Sequence, residues 1–273
     1  MKKLLIMFVI ILAISFQALA QGDLLITPMR VVFEGNKLKS DLNLVNAGKD
    51  TATFSISFVN YNMNEDGSFT AVEKQEPGQM LAEPYLRVFP RKVTLAPGEP
   101  QVISLQCRRK PGMLAGEYRS HLYFRSEKKY SALGLQNPAD TTMLSVQLVP
   151  IYGITIPIII RTGVVNVSST LSDLKLETVN DTTENIKLTI NRTGNISAYG
   201  SLTVEYIPVQ GRPYQIGIVK GVGVYTSVNK RNITIRLNRT PGMTFKNGKL
   251  KVQYTSNDDK NPVIYAEGEL ELK

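Results

Sequence analysis

The chain has 273 residues, 42% hydrophobic and 20% charged, with 32 Lys and Arg against 23 Asp and Glu for a formal net charge of +9. This is globular composition, without the bias of a disordered or collagen-like chain. A single Cys excludes a disulfide framework and a Cys-based zinc cluster, and a single His argues against a His-ligated metal site or a His-based catalytic relay.

Met1-Lys2-Lys3 is a short basic start, Leu4 to Phe16 is an apolar run, and Ala18-Leu19-Ala20 places small residues where a signal peptidase reads. A cleaved secretory signal over residues 1–20 is expected, with the cut after Ala20. The run is shorter than the roughly 20 apolar residues of a membrane span. The remaining 253 residues carry 30 basic and 23 acidic groups, a net +7. That charge is spread rather than clustered, and no aromatic-basic motif suggests nucleic acid.

From there the chain reads as short alternating strands punctuated by turn residues. Examples are Leu42–Val45, Thr53–Phe58, Val102–Cys107 and His121–Phe124, separated by Asn46-Ala47-Gly48, Ala96-Pro97-Gly98 and Lys110-Pro111-Gly112. Cys107 shares the parity of Ile103 and Leu105 and is expected to face a core. The pattern recurs. Leu42–Gly48 resembles Leu188–Gly194, and Ile103–Met113 resembles Ile233–Met243, in the same order. The expected fold is all-β: two tandem immunoglobulin-like β-sandwiches, residues 21–161 and 162–273, meeting at Arg161-Thr162-Gly163. Gly116 stands two residues before Tyr118 at a strand entry. This is the pattern of a tyrosine corner, in which the phenol hydroxyl bonds backbone a few residues upstream.

Met143 to Ile160 is an unusual strand. Leu144, Val146, Leu148, Tyr152, Ile154, Ile156, Ile158 and Ile160 share one parity, and Val149, Ile151 and Ile159 add apolar groups on the other side. Its period of two, with Pro150, Gly153 and Pro157, opposes a membrane helix, and proline belongs on an edge strand. An uncharged apolar edge is an aggregation hazard unless it is covered. Either the second domain covers this one, or it is kept to pair with another chain by β-strand addition.

Thr27-Pro28-Met29-Arg30-Val31-Val32-Phe33-Glu34-Gly35 resembles the first strand of the PapD-like periplasmic pilus chaperones. The resemblance continues through Leu42–Asn46, Leu95-Ala96-Pro97-Gly98, Tyr123-Phe124 and the apolar strand ending at Arg161, covering roughly residues 23 to 161. It implies a two-domain chaperone, exported to the periplasm, that lends a strand to an unfolded pilin-like subunit, with an outer-membrane usher as a possible further partner. It also implies that Arg30 matches the family's cleft Arg, which with a Lys holds the subunit's C-terminal carboxylate. A guanidinium suits that task because its planar fork fits a carboxylate. The sequence departs from the family at the Lys: its place falls near Thr155 to Pro157, where no Lys occurs. Arg161 is a candidate replacement.

The client-binding set expected from these readings is Arg30, Leu148, Tyr152, Ile154 and Ile156, with Gly116 and Tyr118 as structural residues. Tyr152→Glu or Ile154→Glu is expected to abolish client capture and Arg30→Ala to weaken it. No G-x-S-x-G elbow, H-E-x-x-H or P-loop occurs, and no enzyme activity, metal, cofactor or small-molecule substrate is expected. The turn-like acids at Asn180-Asp181 and Asp258-Asp259 are the weak candidates for calcium. Six N-x-S/T sequons, at Asn166, Asn180, Asn191, Asn195, Asn232 and Asn238, fit an Asn/Thr-rich set of strands. The alternative to a chaperone is a structural or adhesive envelope sandwich that uses the same edge permanently.

Overall fold

The computed structural model describes residues 24–75, 78–127, 151–180, 183–238, 245, 247–258 and 261–272. The expected signal segment, Leu148 and the first part of the long apolar strand lie outside them. The first sandwich comprises β1 (Leu24–Thr27), β2 (Val31–Phe33), β3 (Lys39–Asn46), β4 (Ala52–Val59), β5 (Tyr61–Met63), β6 (Phe69–Ala71), β7 (Leu86–Phe89), β8 (Lys92–Leu95), β9 (Pro100–Cys107), β10 (Gly116–Glu127) and β11 (Gly153–Thr162). The second comprises β12 (Val167–Asn180), β13 (Thr183–Gly194), β14 (Ala198–Ile207), β15 (Tyr214–Val224), β16 (Lys230–Arg236), β17 (Gly248–Ser256) and β18 (Ile264–Leu272).

In the first sandwich a sheet ordered β1-β3-β9-β7 faces one ordered β2-β11-β10-β4-β8, and in the second β12-β13-β16 faces β15-β14-β17-β18. Two all-β sandwiches in tandem are thus the architecture. Each closes on a core of alternating residues, Leu42, Leu44, Ile103, Leu105, Leu122 and Ile158 in one and Ile186, Ile190, Leu202, Val204, Leu250 and Val252 in the other. Each such fully buried aliphatic chain contributes about 1.5–3 kcal/mol relative to exposure. Cys107 is buried in the first core.

The internal repeat has a structural counterpart at the level of register. Leu42 pairs with Ile103 across β3 and β9, and their repeat equivalents Leu188 and Ile233 pair across β13 and β16. The recurring segments are therefore a pair of hydrogen-bonded neighbouring strands in each sandwich.

Tyr118 Oη accepts a hydrogen bond from the Leu114 N–H at 2.9 Å, and Gly116 sits at φ +136°. The corner closes on β10, which is buried on both faces from Gly116 to Leu122. One face of β10 supplies Tyr118 and Leu122 to the core. The other carries Glu117, Arg119 and His121 towards the second sandwich.

The hairpin β5–β6 projects from the first sandwich and reaches the second. The Asn232 N–H on β16 donates to the Glu65 carbonyl at 2.7 Å, and the Met63 N–H donates to Ser227 Oγ at 3.2 Å. At its tip Gly67, at φ +84°, lies against the Arg231 guanidinium, where a Cβ would come within 2.6 Å of Nη2. The positive φ favours glycine there, and any larger residue would also have to displace the Arg231 guanidinium.

Candidate functional site

Arg30 lies on the short connection by which the chain passes from β1 in one sheet to β2 in the other. It is half-buried, with its guanidinium carbon 4.0 Å from the centroid of Tyr199 on β14. Arg161, near the end of β11, emerges beside the same space. Together with Val32, Val167, Tyr199, Asp258, Val263 and Ile264 they line a cleft of about 910 Å³ between the two sandwiches. Among the described residues no carboxylate forms an ion pair with Arg30. Burial first, and then the like charge of Arg119, lower the Arg30 guanidinium to about 10, so it remains a cation at neutral pH. Arg161 is held loosely, its Nε 3.4 Å from Glu117 and its Nη1 3.4 Å from Glu34. Charge-assisted hydrogen bonds are normally about 2.7–2.9 Å. Two guanidiniums with unspent donor capacity thus face one cavity.

The wall behind them is a buried polar network. Glu117, 1% exposed, accepts from Arg119 Nη2 at 2.5 Å and from Ser197 Oγ at 2.8 Å. The Ser197 N–H adds a longer bond at 3.2 Å. Burial alone would raise the Glu117 carboxyl; Arg119, then Arg161 and Ser197, outweigh it and hold it below the usual carboxylate range. Arg119 in turn stacks 3.6 Å from the Tyr225 ring centroid. Two arginines of the first sandwich, Arg30 and Arg119, therefore rest on two tyrosines of the second.

The apolar strand divides into three parts. Ile158, Ile159 and Ile160 pair in parallel with Val31, Val32 and Phe33 of β2, and all three are fully buried. From Gly153 to Pro157, β11 pairs only with β10 among the described residues, leaving its other edge without a strand. Leu148 lies outside the described residues. Tyr152, 51% exposed, and Ile154 line a small crevice with Leu24, Phe54 and Phe124 at the far end of the first sandwich. At about 3.3 Å per residue this is roughly 20 Å along the strand from Arg30's neighbour Val31.

These positions correct part of the sequence reading. Ile156 is fully buried in the first sandwich's own core and is not offered to a partner. Ile154 also packs partly against that core. Shared parity with Tyr152 put both on a client-facing side, but that parity is the domain's inward face. Arg30 and Arg161 meet in the cleft, whereas Tyr152 and Ile154 stand apart from it. Glu117, Arg119, Ser197, Tyr199 and Tyr225 had no role in the sequence reading. The signal that could have found them is the apolar Ile159 opposite Arg119 on an outward face, which requires a cover from elsewhere in the chain.

Among the described residues no cluster of His, Cys, Asp and Glu could hold a metal ion, and no helix is long and apolar enough to cross a membrane. Asp258 lines the cleft; Asp181 and Asp259 lie outside the described residues.

No family model and no curated protein matches the chain. Among solved structures it is similar to the YadV chaperone, at 13% sequence identity and a TM-score of 0.45, over 92% of this chain and 100% of that one. It is similar to the chaperone–tip subunit pre-assembly complex CsuC–CsuE of Acinetobacter baumannii Csu pili, at 13% identity and a TM-score of 0.45, over 89% and 97% of the two chains. It is also similar to the Pseudomonas aeruginosa CupB2 chaperone, at 11% identity and a TM-score of 0.43, over 91% and 100%.

Proposed function

We propose that this chain is a periplasmic assembly chaperone that holds a pilin-like exported subunit by strand addition and anchors that subunit's C-terminal carboxylate between Arg30 and Arg161. One observation carries the reading: a cleft of about 910 Å³ is lined by two guanidiniums, beside a strand whose edge has no partner strand from Gly153 to Pro157 among the described residues. A terminal carboxylate supplies a counter-charge to the arginines, and a bound strand satisfies the β11 backbone groups that pair with no strand among the described residues. Tyr152, just before the same strand, would then meet the body of the client. Arg161 takes the part of the absent lysine, as a fork rather than a point charge.

The test is recovery of the chain from the cell envelope with its bound proteins identified by mass spectrometry. A soluble one-to-one complex with a subunit, and no copy of the chain in the finished fibre, is the expected result. Arg30→Ala and Arg161→Ala should each reduce recovery of the subunit while the purified variants keep the parent's circular dichroism spectrum. Finding the chain as a stoichiometric component of the fibre would overturn the proposal in favour of a structural subunit.

A further inference from the structure

The cleft has a second wall, and its chemistry is unlike the first. In the cleft that Arg30 and Arg161 line, the second sandwich also presents Val263 and Ile264 at the entry to β18, and both are more than half exposed, at 55% and 52%. Val32 and Val167 add apolar groups to the same lining. Exposed β-branched residues facing solvent inside a concave space are costly to leave wet, and such a pair beside a cationic wall makes an amphipathic slot. Its volume of about 910 Å³ lies within the range of ligand clefts. Among the described residues the carboxylate lining it is Asp258.

We infer that Val263 and Ile264 read the last side chain of the client, and that the clients of this cleft end in an apolar residue. The inference rests on the carboxylate-anchoring reading above and adds a specificity to it. The terminal residue is the only one whose carboxylate and side chain branch from the same carbon. With the carboxylate on Arg30 and Arg161, its side chain lies inside the cleft that Val263 and Ile264 also line. An aliphatic or aromatic group there buries itself together with Val263 and Ile264. A serine leaves that surface wet, and an acidic side chain leaves it wet and gives up its own hydration as well. The second sandwich thus acts as a selector, while the first holds the charge.

The experiment uses the full chain and four synthetic peptides of one alternating Val/Thr sequence, ending in Leu, Ser, Asp or Leu amide, with affinity measured by calorimetry. The Leu acid should bind about tenfold or more tighter than the Ser acid, the ratio expected when one aliphatic side chain is buried, and the Asp acid should be weakest. Ile264→Ser should bring the Leu and Ser acids within about twofold. Phe89→Ser, an exposed change on the outer face of the other sheet, should keep the preference. If the Leu and Ser acids bind equally while the amide still fails, the selector is wrong and the anchoring reading stands. If the Leu amide binds as tightly as the Leu acid, the anchoring itself is overturned. Ile264 is 52% exposed, so its variant should keep the fold, and a circular dichroism spectrum matching the parent's checks it.

Discussion

Glu117 is a carboxylate removed from water, and its three cationic or hydroxyl partners are what keep it charged. Arg119, Arg161 and Ser197 come from two strands of the first sandwich and one segment of the second, so this single side chain ties both domains and the cleft together. Glu117→Ala leaves the buried Arg119 guanidinium without its counter-charge. Breaking a buried pair on one side costs on the order of 3 kcal/mol. Urea denaturation should show that loss, and Ser197→Ala, which removes only a hydroxyl, should lose about 1 kcal/mol. Sequence alternation alone missed Glu117 because it assigns a charged residue on an outward parity to solvent. Only the packing of a second domain turns that outward face into an interior.

At the scale of elements, β11 shows how a strand can change role along its length. Ile156 and Tyr152 share a parity, yet one is sealed in the core and the other is half exposed at the strand's entry. Ile156→Glu should therefore unfold the first sandwich, seen as loss of the cooperative thermal transition, because an unpaired carboxylate in an apolar core costs several kcal/mol. Tyr152→Glu should leave that transition in place and reduce client recovery instead. The hairpin β5–β6 is a second element with one sensitive point. Gly67→Val meets both a positive φ and the Arg231 guanidinium, so hydrogen exchange should rise across Tyr61–Ala71 while the strands of either core stay protected. The strands themselves were plain in the sequence because turn residues and alternation are local properties. The Leu42–Ile103 and Leu188–Ile233 pairings were implicit in the repeat for the same reason. Which apolar face of β11 is spare was not legible: parity distinguishes two faces but does not say which of them a domain keeps for itself.

For the molecule as a whole, the junction between sandwiches is where pH acts. His121 is 5% exposed and enclosed by Tyr61 at 5.2 Å, Phe69 at 6.2 Å and Tyr225 at 6.2 Å between ring centroids, with Arg119 two residues away on the same face of β10. Tyr61 and Phe69 belong to the hairpin and Tyr225 to the second sandwich, so the imidazole sits where all three parts meet. Burial, and secondarily the Arg119 charge, depress its pKa from 6.5 to about 4. Above pH 6.5 the imidazole is neutral in both the folded and the unfolded chain, and its contribution to stability is fully present. As pH falls below 6.5 the unfolded chain takes up the proton and the folded chain does not, so stability is lost down to about pH 4. At 1.36 kcal/mol per pH unit, the loss between pH 7 and pH 5 is about 2 kcal/mol. Glu117 does not contribute in this window, because its own lowered titration costs stability only below the ordinary carboxylate value of 4.5. His121→Phe keeps a ring in the aromatic enclosure and removes the titrating group. Urea denaturation at pH 7 and pH 5 should give a difference for the parent that is about 2 kcal/mol larger than for His121→Phe. Equal differences in the two proteins would show that the imidazole is open to water and that the sandwiches do not close over it.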